Sequence, residues 1–372
     1  MADIFSLSAM LGSMTGVTTM LLGLVLLILV HEAGHWLVAR YYGFKTPVFS
    51  IGFGTRNMSW VLGTFWETEF RITPFLLGGY VSIPELQDES TMLELQKQSG
   101  GDASKVQYKV FPVYQRMLVA IAGIVMNVLT ALVIFAALFF FVGKMTATPT
   151  TQVAGFAEQV TIARDAGIQL QDVIVTVNGV KTDSPQLVMQ TLQTRKNLVT
   201  QIGVNRGGSP VEVSVTPNDK GQIGIAFTLK VEANKLSFGS ALVESGKTTY
   251  DAIAGMFHGL GMMVGLVEKP QGAEMRGIIG IVQMGSDAYS MGWYQFNWLL
   301  AMISLNLAVM NILPIPALDG GHMLFFTIEG LRGKPVNPAL KGRVTLLFVA
   351  MLMLLFVYMT GADLLRIFGI SF

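Results

Sequence analysis

Residues 17–39 read VTTMLLGLVLLILVHEAGHWLVA, and this stretch governs the reading of everything around it. Its apolar run is long enough to cross the hydrocarbon core of a bilayer, which takes about 20 residues. Its second half nevertheless carries His31, Glu32 and His35. A charge at the centre of a span costs on the order of 2.5–3.5 kcal/mol, so three polar groups within a turn and a half need a compensating partner. His31 and His35 stand four residues apart, on one face of a helix, where both imidazoles reach a single cation. Glu32 points to the neighbouring position, from which it can take a proton from a water on that cation. The H-E-x-x-H spacing therefore predicts a metal site in a membrane helix, with Glu32 as general base.

The rest of the chain agrees with a membrane setting. Apolar residues make up 52% of the 372 residues and charged residues 13%, against about 25% charged in ordinary globular domains. A net charge of +1 and no long Lys/Arg tract exclude a nucleic-acid partner. The chain has no cysteine, so any metal must be held by histidine, carboxylate or water. Before the first apolar run the only charge is Asp3, and that run is read as a retained span rather than a signal peptide.

Three further spans are expected, at residues 117–142, at 298–328 through a broken centre, and at 344–359. Residues 252–267 are apolar but short and glycine-rich, which predicts an amphipathic or interfacial helix. Basic residues crowd two loops: Arg40, Lys45, Lys105, Lys109 and Arg116 between the first two spans, and Arg332, Lys334, Lys341 and Arg343 after Glu329. The positive-inside rule puts both loops in the cytoplasm, with residues 144–296 and both termini outside. Spans one and three then run in the same direction. Residues 45–81 alternate aromatic and polar positions broken by Gly and Pro, which predicts strands or hairpins covered by protein or a wet cavity. Residues 150–229 have the composition of a small soluble domain, with strand-like VEVSV and QIGIAF and helix-like SPQLVMQTLQ behind Ser184.

A catalytic zinc wants three protein ligands and an open position. The third ligand must come from elsewhere, and Asp319 and His322 both lie in Asn311-Ile-Leu-Pro-Ile-Pro-Ala-Leu-Asp-Gly-Gly-His322. Two prolines and two glycines stop a regular helix there. Asp319 could instead cap the helix that restarts after it, and His322 could be a supporting donor or a substrate contact. His258 reads as a polar-face histidine. A zinc transporter would also place His and Asp in spans but has no use for Glu32, and a membrane scaffold would not explain the polar span.

HEAGH in the first span, GIVMN (residues 123–127) in the second and NILPIPALDGG (residues 311–321) in the third resemble the site-2 protease family of intramembrane metalloproteases. Within it the chain looks most like the bacterial regulator-of-sigma-E protease group. The resemblance implies Zn2+ on His31, His35 and Asp319, Glu32 as general base, and Asn306, Asn311, Pro314 and Pro316 holding and unwinding the substrate. It implies a bacterial inner membrane and single-span membrane protein substrates such as anti-sigma factors or remnant signal peptides, trimmed first by another protease. Residues 165–179, DAGIQLQDVIVTVNG, look like the bacterial PDZ pattern, with Gln171 where a glycine is usual. There is room for one such domain, whereas the best-known sigma-E proteases carry two. A second departure is Arg276-Gly-Ile-Ile-Gly280, where relatives often carry a proline. The expected fold is four transmembrane helices (residues 1–143 and 293–372), a membrane-associated β-region at about 45–82, an extracytoplasmic PDZ-like α+β domain at 150–230 and an amphipathic linker at 236–292.

Overall fold

The computed structural model describes residues 7–86, 109–157, 160–263, 265 and 277–367; Asp3, Lys105 and Arg276 lie outside these. The chain divides into two compact units, Met1–Phe141 with Ser237–Phe372, and Val142–Leu236.

In the first unit, helices α1 (Leu7–Tyr42), α2 (Val113–Phe141), α7 (Trp293–Ile312) and α9 (Pro338–Ile367) each contain a stretch long and apolar enough to cross a membrane. The first three pack together around α2, with Met20, Leu27, Phe296 and Leu300 in their core. Helix α5 (Phe238–Met263) begins well before residue 252, where the sequence reading starts the amphipathic stretch. Buried Ala241, Ser245 and Thr249 recur every four residues and give it a stripe, and it packs on α2 and α7. Helix α6 (Ile278–Met291) lies against α1 through small residues, Gly285 over Met20 and Ser286 over Gly16.

Helix α9 is exposed over its most apolar window, and one acid on it reaches the bundle. Asp363, buried, accepts the N–H groups of Gly277 (3.1 Å) and Gly280 (2.8 Å) at the start of α6. A carboxylate there satisfies orphan donors and the positive end of the helix dipole, and Arg366 one turn on also lies 3.5 Å from its Oδ1.

The same unit holds a four-stranded sheet built from β1 (Val48–Phe53), β2 (Trp60–Phe65), β3 (Thr68–Ile72) and β4 (Phe75–Ser82), in the order β2-β3-β1-β4. The β2–β3 hairpin turns at Trp66 and Glu67, both in the left-handed region with φ of 47° and 62°. Two-residue hairpins need that geometry, and side chains other than Gly or Asn resist it. Here contacts hold the turn. Trp66 stacks on Trp36 of α1 at 5.6 Å between centroids, and Trp36 Nε1 donates to Thr68 Oγ1 at 3.0 Å. The hairpin is thereby docked on the residue next to His35.

The second unit is a sheet in the order β10-β5-β6-β8-β9. Its strands are β5 (Lys144–Phe156), β6 (Val173–Val177), β8 (Thr200–Arg206), β9 (Ser209–Val215) and β10 (Ile225–Asn234), with β7 (Val180–Lys181) folded onto β6. Besides a single turn of helix, α3 (Ile162–Asp165), it holds α4 (Pro185–Gln193), whose Ser184 cap accepts the Leu187 N–H. Val153, Ile174, Val188, Leu192 and Ile202 form its core. Pairing of β5 with β10 runs from Phe156 opposite Ile225 to Lys144 opposite Asn234, so the unit reaches past residues 150 and 230. Gln171 has φ of 70°, a conformation that suits glycine better than a residue with a Cβ. Beside it the Arg206 guanidinium forks Asp172 (Nε to Oδ1 2.9 Å, Nη2 to Oδ2 2.8 Å) and holds its carboxyl below the usual carboxylate range.

Candidate metal centre

The site is assembled where α1, α2 and the break after α7 meet. Helix α1 brings His31 and His35 to one face, with ring centroids 4.8 Å apart and nearly perpendicular planes. Their Nε2 atoms lie 3.2 Å from each other. After α7 the chain passes through Pro314 and Pro316 and turns at Ala317 (φ 102°) into α8 (Asp319–Arg332). Asp319 is the first residue of α8, and no side chain caps that helix. The N-cap position is Leu318, and the Asp319 carboxylate faces the histidines: Oδ2 is 3.1 Å from His31 Nε2 and 3.4 Å from His35 Nε2.

These three separations form a nearly equilateral triangle. Ligands at about 2.0–2.1 Å from a tetrahedral zinc stand about 3.3 Å from one another, and the triangle matches that spacing. Close as it is to both imidazoles, Asp319 Oδ2 is buried without a hydrogen bond of acceptable geometry. Leaving a buried carboxylate oxygen without one is expensive. A cation in the middle of the triangle removes that cost. The donor set, two imidazoles and a carboxylate with no thiolate, is a hydrolytic zinc set.

The far side of each ring is also held. His35 Nδ1 lies 2.7 Å from the carbonyl of Val119 and donates to it, which leaves Nε2 with its lone pair toward the triangle. His31 Nδ1 faces the Asn127 amide at 3.1 Å, and Asn127 Oδ1 has no hydrogen bond. Rotating that amide by half a turn puts Oδ1 on His31 Nδ1–H and frees Nε2 as a ligand, so metal binding selects this orientation. Ser304 Oγ donates to the Asn127 carbonyl (2.8 Å), fixing α2 against α7 at this level.

Gly123 makes room for the rings. A Cβ built there would sit 2.4 Å from His35 Nε2 and 2.7 Å from His31 Cε1. Gly123→Ala is therefore expected to force the imidazoles off the triangle. Overpacking of this kind costs about 1–3 kcal/mol, which is about a 5- to 150-fold loss of zinc affinity if it falls on the metal-bound form. Titration against a competing chelator measures it, and unchanged affinity would show that the rings can shift without penalty.

Glu32 sits beside the triangle, and its Oε2 accepts the N–H of Val81 on β4 (3.1 Å). Beyond it lies a cleft of about 350 Å3 whose walls include Glu32, His35, Tyr80, Val81, Asp319 and His322. Strand β4 is an edge of its sheet, so the cleft runs along strand backbone as well as side chains.

The sequence profile of peptidase family M50 matches residues 19–355. The chain belongs to peptidase family M50. A Nostoc sp. protein named "Putative zinc metalloprotease all3971" is 32% identical over 326 residues, covering 84% of this chain and 86% of its own. Metalloprotease MmpA of Caulobacter vibrioides is 28% identical over 364 residues, covering 88% and 90%. The protein is thus a zinc metalloprotease of the M50 family, with four helices able to cross a membrane among the described residues.

The remaining sequence-stated residues of this M50 protease are placed differently. Asn306 is exposed on α7, Asn311 is half-buried, Pro314 is exposed and Pro316 is buried beneath the first turn of α8. None of the four lines the cleft. His322 does line it, one turn beyond Asp319, but lies outside the converging ligand atoms. His258 is exposed on α5. Val119, Asn127 and Gly123 carry supporting roles to which the sequence reading gave no function. The amide of Asn127 inside an apolar span was the available signal.

Proposed function

We propose that His31, His35 and Asp319 hold the zinc ion, that Glu32 is the general base, and that the enzyme cuts single-span membrane proteins within or beside the bilayer. The observation that carries this is the triangle of three lone-pair atoms at 3.1, 3.2 and 3.4 Å inside a helix bundle apolar enough to be membrane-embedded. When bound there, zinc supplies Lewis acidity, polarising a carbonyl and making water a nucleophile at neutral pH. Glu32, through its carboxylate, would take a proton from the attacking water and pass it to the departing amine. The β4 edge offers backbone groups to an extended substrate, which keeps an unwound segment hydrogen-bonded while its scissile bond is exposed.

In the same reading Asn306 and Asn311 contact the substrate from α7, with Pro314 and Pro316 holding the break open. Asn306 is exposed, and it makes no hydrogen bond among the described residues, which leaves its amide available. The protein would belong to the sigma-E protease-like branch in the bacterial inner membrane, with basic loops inside and both termini outside. The 142–236 unit would be its single PDZ-like domain, selecting anti-sigma-factor or signal-remnant substrates that another protease has shortened. The turn of Gln171 into the left-handed region and the Asp172–Arg206 fork support the PDZ-like reading of that segment.

Incubating the purified protein in liposomes with a single-span substrate tests the proposal. Cleavage should stop on zinc chelation and return on adding zinc. Cleavage indifferent to chelation would end it.

A further inference from the structure

Ten residues beyond Asp319, α8 carries Glu329, which pairs with Arg116 of α2 through both carboxylate oxygens, Nη1 to Oε2 at 3.1 Å and Nη2 to Oε1. Arg116 is buried, its Nε donates to the Phe111 carbonyl at 3.1 Å, and its guanidinium lies 4.9 Å from the ring centre of buried Phe326. The sequence reading counted Arg116 among loop charges that set orientation. The structure puts it inside the protein, in a bidentate pair with three of its donors used.

The position of this pair suggests its role. From Arg116, α2 runs seven residues, about 10 Å, to Gly123 beneath the imidazoles. Over the same contact α8 runs back ten residues, about 15 Å, from Glu329 to Asp319. The two helices are therefore antiparallel, with the ion pair at one end of their contact and the metal triangle at the other. At that distance Arg116 touches no reacting atom. At its other end α8 is held by the break itself: a Cβ on Gly320 would fall 2.1 Å from the Leu313 carbonyl oxygen. A helix pinned at both ends keeps its first residue in place. Released at the Glu329 end, it can tilt and turn about the Gly320 contact, which re-aims the Asp319 carboxylate away from the histidines.

We propose that Arg116 and Glu329 are positioning residues that fix α8 against α2 and so hold Asp319 at ligand distance from His31 and His35. The inference rests on the reading of Asp319 as a zinc ligand. Arg116→Lys keeps the charge but loses the fork, and is the informative variant. It should yield folded protein, by circular dichroism and elution volume, that binds zinc about tenfold or more weakly, the size of effect typical for a lost supporting partner. At saturating zinc its kcat should fall while KM stays within about twofold of wild type. The exchanged pair Arg116→Glu with Glu329→Arg should recover most of the zinc affinity.

Zinc affinity and kcat of folded Arg116→Lys both unchanged would overturn the proposal. So would loss of folded protein in Arg116→Lys, which would make the pair a folding element only. Asp319→Ala measured in parallel separates the two failures: if it too keeps zinc, the ligand assignment is at fault, and if it alone loses zinc, the positioning role is.

Discussion

Asp319→Ala should lose zinc and His322→Ala should keep it. Asp319 places a carboxylate oxygen 3.1 and 3.4 Å from the two imidazole nitrogens, whereas His322 lines the cleft without joining them. The carboxylate is the only group in the triangle that brings negative charge to a dication, and it does so where water is scarce and Coulomb attraction is weakly screened. Losing a supporting partner costs 10–100-fold in metal affinity; losing this ligand should cost more than about 100-fold. Metal analysis of both variants with His35→Ala as control ranks the contributions. Zinc retained by Asp319→Ala and lost by His322→Ala would reverse the assignment while leaving the M50 family membership intact.

Glu32→Gln should bind zinc like wild type and cut substrate about 100- to 10,000-fold more slowly, the usual contribution of a positioned general base. The amide keeps the size of the side chain and an oxygen able to accept the Val81 N–H, so the link between α1 and β4 survives. What it loses is the ability to take a proton. Single-turnover cleavage in detergent or liposomes measures the effect, with zinc content determined on the same sample. Cleavage within about tenfold of wild type would exclude the proton-transfer role.

Much of this site is legible in the sequence because its chemistry conflicts with its setting. Two histidines, two acids and a pair of prolines have no place in apolar helices unless something repays them, so His31, Glu32, His35 and Asp319 stand out. What could not be read was geometry that depends on neighbours far along the chain. Gly123 matters because two rings 88 and 92 residues away need its missing side chain, and a glycine in a span has many bland explanations. The Trp66–Glu67 turn contradicts local turn preference and is fixed by Trp36, some 30 residues earlier. Arg116 looked like a topology signal because its position at the edge of a span is where such signals sit, and only the fold reveals Glu329 beside it.

The same limit applies to α5 and α9. Their apolar content was plain, but the start of α5 at Phe238 follows from a buried stripe of small residues that forms a face only against α2 and α7. Asp363 is another acid in an apolar helix, and it too is repaid, by the N–H groups of Gly277 and Gly280 together with Arg366. An intramembrane acid thus marks either a metal or a helix start, and sequence does not separate these two cases. In Asp319 the carboxylate oxygen faces two imidazoles, which supports the metal reading.

The central claim is that a zinc centre held by His31, His35 and Asp319, with Glu32 as base, hydrolyses a peptide bond in a membrane-spanning segment. It is tested most directly by mapping the cut. A single-span substrate reconstituted with the zinc-loaded enzyme in liposomes, analysed by mass spectrometry of the products, should show a new terminus within the apolar segment or at its edge. The product should be missing with Glu32→Gln. A cut found only in the soluble flanks of the substrate, or an intramembrane cut that persists with Glu32→Gln, would contradict the account.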